Sequence, residues 1–134
     1  MIGTKLKIYE GDIIFGKRRA YLRKIAVSHF DGIASAHSMI LRANVKNIEK
    51  EFLPYFMQSD IFMNRAVQIS EGSLSPTIKS KTLAQQEFKL PKKEKQNDLI
   101  LLFKQFDASM EQLEIQNEIL KKLKRKLLNK LLEQ

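Results

Sequence analysis

Five cations fall within eight residues of this chain: Lys17, Arg18, Arg19, Arg23 and Lys24, with Tyr21 among them. Guanidinium forks grip phosphate or read a guanine edge, and a tyrosine ring stacks on a base or packs on sugar. On a turn flanked by short strands the five would project together from one edge. The alternative is a solvated turn whose charges hold no ligand. A second candidate is Gly72-Ser73-Leu74-Ser75-Pro76-Thr77-Ile78-Lys79, with Lys81 just beyond. The hydroxyls of Ser73, Ser75 and Thr77 and the backbone N–H groups of such a loop suit phosphate oxygens, and Lys79 and Lys81 add charge. It is not a nucleotide phosphate loop, because no Gly-Lys-Ser/Thr follows the first glycine. Taken alone, the segment also fits a plain structural loop.

Other reactive types do not form constellations. His29 and His37 are eight residues apart with Asp31 between them, but no further ligands stand at helical or hairpin spacing. Both are read as structural. Ser28, Ser35 and Ser38 lack the glycine pattern of a nucleophile elbow. Acidic residues of the N-terminal part are scattered, with no cluster of the kind a nuclease metal site needs. Neither a catalytic residue nor a metal or cofactor is expected.

What must position the candidate residues is one modest domain and one helix. The chain has 134 residues, 43% of them hydrophobic, and no cysteine, which fits a reducing cytoplasm. The start, Met1-Ile2-Gly3-Thr4-Lys5, leads into no apolar run, so no signal peptide is expected. No segment approaches the length of a membrane span. The net charge is +9, of which residues 1–90 carry +6 and residues 91–134 carry +3. A polyanionic partner follows, nucleic acid ahead of a membrane, because the apolar helix stripe has no interfacial Trp.

Alternation predicts strands at residues 5–9, 13–15, 20–27 and 38–41, with turns at Glu10-Gly11-Asp12, at Gly16-Lys17-Arg18-Arg19 and at Asp31-Gly32. The period then changes. Phe52-Leu53, Phe56-Met57, Phe62-Met63 and Ala66-Val67 predict one or two short helices over residues 49–69, with Pro54 in the first turn. Residues 71–81 read as the main loop, and residues 87–90 as a last strand running into Pro91.

The last third reads as a single helix. Residues 93–133 contain no Pro or Gly. Apolar residues recur at alternating spacings of four and three: Leu99, Phe103, Phe106, Met110, Leu113, Leu120, Leu127 and Leu131, with Asn117 and Lys124 filling the gaps. That is a coiled-coil seam, in which an Asn at position a selects register and strand number. Ile100, Leu102, Leu123 and Leu128 widen it. At 1.5 Å per residue the helix runs roughly 60 Å, about twice the span expected of the remaining residues. It must therefore bury its stripe against another chain.

Three segments resemble a known family in its order. The run from Gly11 through Asp12-Ile13-Ile14-Phe15-Gly16-Lys17-Arg18-Arg19 to Lys24 is similar to a segment of the specificity subunits of type I restriction–modification enzymes. So are Phe52-Leu53-Pro54-Tyr55-Phe56-Met57-Gln58-Ser59, and Gly72-Ser73-Leu74-Ser75-Pro76 through Leu83, Phe88, Leu90-Pro91 and Gln96 with the trailing helix. The resemblance implies target-recognition domains that each precede a long spacer helix, with two such helices paired antiparallel. Methyltransferase subunits dock on the helices, and the specificity subunit has no catalytic residues of its own. Against that pattern, only one recognition unit is present and its N-terminal portion looks absent. Lys93 and Lys95 stand where an apolar residue and a Glu are usual before Gln96.

The expected architecture is therefore α+β: a small, partly β target-recognition domain over residues 1–91, truncated at its N-terminus, and a coiled-coil helix over residues 92–134. The expected function is non-catalytic sequence recognition on double-stranded DNA. Lys17, Arg18, Arg19, Tyr21, Arg23, Lys24, Ser73, Ser75, Thr77, Lys79 and Lys81 are the candidate DNA contacts. Leu99, Phe103, Phe106, Met110, Leu113, Asn117, Leu120, Leu127 and Leu131 would pair with a second spacer helix, of a second copy or of another specificity chain. The rival is a truncated interaction module that binds a methyltransferase or a full-length specificity subunit through its helix without reading DNA.

Overall fold

The computed structural model describes residues 5–133; Met1-Ile2-Gly3-Thr4, considered for a leader, lies outside the described residues. The chain divides into two compact units, with the boundary between Asn97 and Asp98. It is an α+β protein, with small antiparallel sheets followed by short helices and one very long one.

Five strands form two sheets. β1 (Lys5–Ile8) pairs with β4 (Gly32–Ser35) as a two-stranded ribbon, Lys5 opposite Ser35. β2 (Ile13–Gly16) is the centre of the other sheet, between β3 (Ile25–Val27) and β5 (Ser38–Leu41), all antiparallel. Alternation sends Ile13 and Phe15 of β2 inward, where Phe15 is fully buried. They meet α1 (Phe52–Met57) and α2 (Asp60–Gln68), whose Met57, Phe62, Met63 and Ala66 complete the core with Met39, Ala20 and Ile78. Phe62 meets Phe15 edge-on, at 5.7 Å between ring centres, and Phe56 meets Phe88 at 5.2 Å. Ser59 separates the helices and caps α2, its hydroxyl accepting the Phe62 N–H at 3.3 Å, with Asp60 in the first turn. Pro54 sits in the first turn of α1, where its missing N–H has no intrahelical acceptor to lose.

The structure corrects three expected elements and adds two. Residues 20–27 are not one strand: Ala20–Leu22 is a 3-10 turn, and only Ile25–Val27 is extended. Arg19 and Arg23 bracket that turn with φ of 51° and 52°, the left-handed region, which turns the chain so that Ala20 enters the core. Gly32 opens β4 rather than closing a turn. The turn lies earlier, where the Ser28 hydroxyl donates to the Phe30 carbonyl at 2.5 Å and Asp31 accepts the Glu10 N–H at 2.9 Å. Residues 87–90 pair with no strand among the described residues; Phe88 instead packs its ring among Phe56 and Phe62. The added elements are β4 and α3 (Ser80–Ala84), which begins in the last two residues of the stretch read as loop.

The long helix α4 runs Lys93–Leu132, 40 residues. Its first turn belongs to the first unit and is fixed there by Gln96, whose side chain is fully buried. The Gln96 amide accepts the Glu49 N–H at 2.7 Å and donates to the carbonyls of Pro91 at 2.9 Å and Asn47 at 3.3 Å. Replacing Gln96 with Leu keeps the bulk and leaves those three backbone groups without their partner. The expected cost is about 3 kcal/mol, at the rate of a satisfied buried hydrogen bond left unmade. Thermal unfolding followed by circular dichroism at 222 nm should show Tm lower by roughly 10–20 °C.

The second unit is the remainder of α4. From Lys104 onward every described residue is exposed, including Phe106, Met110, Leu113, Leu120, Leu127 and Leu131 of the seam. No helix among the described residues is long and apolar enough to cross a membrane.

Candidate nucleic-acid interface

The basic turn and the hydroxyl loop, about sixty positions apart in sequence, are joined. Arg18 and Thr77 form an isolated antiparallel bridge. The Arg19 N–H donates to the Pro76 carbonyl at 2.8 Å, and the Ile78 N–H donates to the Lys17 carbonyl at 3.1 Å. Burial of Ile78 in the core locks the junction from below. A second bridge closes the loop on itself: Glu71 and Thr77 exchange N–H···O bonds, each 2.9 Å, and the Thr77 hydroxyl donates to the Ser75 carbonyl at 3.3 Å. Gly72, at φ 108°, takes a conformation that an L side chain resists, which lets the loop reverse.

The individual side chains differ in freedom. Arg18, Arg19 and Lys24 are exposed and Lys17 is partly so; among the described residues no ion pair engages any of the four. Arg23 reaches down to Asp60 at 2.5 Å. Lys79 pairs with Glu71 at 2.9 Å, and that carboxylate holds its ammonium pKa above the ordinary value. Tyr21 is exposed on the 3-10 turn, Ser73 and Ser75 are exposed on the loop, and Lys81 is exposed on α3. Gly16 allows the two limbs of the basic segment to close: its N–H donates to the Lys24 carbonyl at 2.9 Å, and a Cβ there would meet that of Lys24 at 3.1 Å.

Sequence reasoning missed part of the basic surface. An open groove of about 750 Å³ is lined by Lys7, Lys17 and Arg42, together with Leu6, Met39 and Ile40. Arg42 is steered by Asp12, 2% exposed, which accepts from its Nε at 2.5 Å and from a terminal nitrogen at 2.7 Å. The Arg42 hydrogen bonds hold the Asp12 carboxyl below the usual carboxylate range, against the opposing effect of burial, with help from the Tyr9 N–H at 2.8 Å. The Arg42 guanidinium also lies over the Tyr9 ring, 5.2 Å from its centre. Nothing in the spacing of Asp12 and Arg42 signals this pair. On α4, Ile115 and Ile119 are exposed outside the heptad seam, at a spacing of four that was the available signal.

Geometry of this kind is chemically suited to holding a polyanion; no group of three or more potential metal ligands occurs among the described residues. Residues 3–125 match the type I restriction modification DNA specificity domain, and the chain belongs to that family. Over 113 residues, 84% of this chain, it is 28% identical to the type I restriction enzyme EcoDI specificity subunit of Escherichia coli. It spans about a quarter, 25%, of that relative's length. A solved structure, described as the structural basis underlying complex assembly and conformational transition of the type I R-M system, superposes with a TM-score of 0.68 at 25% identity. That match covers 84% of this chain and 30% of the other.

Proposed function

We propose that this chain recognises double-stranded DNA as a non-catalytic specificity element of a type I restriction–modification assembly. The observation that carries the reading is the joining of Lys17, Arg18 and Arg19 to the Ser73, Ser75 and Thr77 loop by backbone hydrogen bonds. Four cations without an ion partner among the described residues, and a loop of hydroxyls, then face one ligand, with Tyr21, Lys79 and Lys81 beside them. Phosphate contacts from this surface set register on the duplex, and side chains at the loop tip reach base edges. Arg23, tied to Asp60, serves chiefly to hold the turn.

The helix supplies the assembly function. Its seam from Leu99 to Leu131, exposed from Phe106 onward and with Asn117 at a core position, pairs with a second spacer helix, and methyltransferase subunits bind the remaining apolar positions. Charge sets the direction of pairing. Asp107, Glu111, Glu114 and Glu118 occupy one stretch without a base, and Lys121, Lys122, Lys124, Arg125, Lys126 and Lys130 follow without an acid. Two copies running antiparallel and crossing near Ile119 and Leu120 place acid against base; a parallel pair sets like charges side by side. Such a dimer presents two identical half-sites related by a twofold axis.

Selection of the purified chain on a randomised duplex pool at near-physiological salt tests the reading. The expected enrichment is of two short half-sites at fixed spacing, mirror-related if the chain pairs with itself. Salt-sensitive binding with no enriched motif would show a phosphate grip without readout and sink sequence recognition.

A further inference from the structure

Leu74 is 91% exposed, the most exposed large apolar side chain among the described residues. Exposure of that degree at a frayed end would mean little, but this residue sits at the tip of a clamped loop. The Glu71–Thr77 pairing closes the loop three residues from Leu74 on either side, and Arg19 holds Pro76. Its neighbours Ser73 and Ser75 are exposed as well, and at 91% exposure the isobutyl group is left almost wholly uncovered. Because Arg18 and Arg19 are joined to this loop through Thr77 and Pro76, a duplex whose phosphate they held would lie beside the loop and its tip.

We infer that Leu74 makes the apolar base contact of this surface, packing on the 5-methyl group of thymine. The inference rests on the DNA-recognition reading and assigns to it a residue that contributes through desolvation rather than charge. In the major groove the thymine methyl is the one apolar feature that a base pair offers. Leu74 supplies a matching surface that no phosphate contact requires.

The test compares the full chain and its Leu74→Ala variant on an alternating A·T duplex and on the same duplex with deoxyuridine for every thymine. In such a polymer each binding register presents a methyl group, so the contact is sampled whatever the target sequence. Fluorescence anisotropy over a salt series should show Leu74→Ala about tenfold weaker at every salt concentration, as loss of a buried Leu contact implies, with an unchanged slope. Deoxyuridine should weaken the wild type about threefold and leave Leu74→Ala unaffected. Steep salt-dependent binding by both proteins with equal affinity, or a wild type indifferent to the methyl group, overturns the inference and leaves the phosphate grip standing. Absence of binding by the folded wild type to either duplex removes the DNA reading itself. Since Leu74 touches so little, its replacement should leave the melting curve in place, which excludes unfolding as the cause of any loss.

Discussion

Arg18→Ala, Arg19→Gly and Lys24→Ala, combined, should lower affinity for duplex DNA about a hundredfold at near-physiological salt and flatten the log K against log salt slope by nearly three. Each cation that neutralises a phosphate releases close to one counterion, so the slope counts contacts where the affinity alone does not. Glycine is the choice at position 19 because Arg19 holds φ 51°, a conformation that costs an L residue about 1–2 kcal/mol and glycine almost nothing. The hydrogen bond from its N–H to Pro76 is a backbone contact and survives the change. The melting temperature should therefore stay put or rise slightly while binding collapses. Were affinity to fall with no change of slope, the three side chains would not lie on phosphates. Were neither to move, the interaction-module alternative, in which the basic turn is idle, would be the better account.

Phe106→Asp on α4 should convert a self-associated chain into a monomer, weakening association by at least a thousandfold. Phe106 occupies a core position of the seam and stands more than half exposed when the chain is alone, so its ring is free to be buried by a partner. An aspartate there forfeits that burial and puts an unpaired carboxylate into the interface, several kcal/mol on each side of a twofold. Sedimentation equilibrium reads the change directly, and circular dichroism should show the first unit intact. A variant that remains dimeric would place the pairing surface elsewhere, with Ile115 and Ile119 the next residues to substitute. The two predictions separate functions that the DNA reader needs jointly. The basic-turn variant should remain dimeric, and the helix variant should still grip DNA through a single, weaker site.

The parts of this molecule that sequence made legible are those governed by local periodicity. Residues 93–133, free of Pro and Gly, could scarcely be anything but helix, and α4 fills them to Leu132. Ile13 and Phe15 alternate as a central strand must, and Ser38–Leu41 pairs beside them. What sequence hid was decided by contacts across the fold. No propensity marks Arg19 or Arg23 for the left-handed region; the burial of Ala20 and the hydrogen bonds at the turn impose it. Asp31-Gly32 carries the signature of a turn, yet the Asp31 carboxylate is engaged by the Glu10 N–H and the glycine is left to begin β4. Phe88 resembles a strand residue because aromatic rings suit strands, but its neighbours are the rings of α1 and α2. Both halves of the candidate interface were visible as types of residue. Their meeting was not, since Arg18 and Thr77 lie far apart in sequence and nothing local foretells their pairing.

On the proposed reading, the clamp at the base of the loop governs how the recognised target can change. Glu71 and Thr77 close the ring through a pair of backbone hydrogen bonds, and Arg19 grips Pro76 through backbone as well. Between those fixed points Ser73, Leu74 and Ser75 are exposed and owe nothing to the core. Their identities can be exchanged almost without loss to folding, as type is exchanged in a printer's frame.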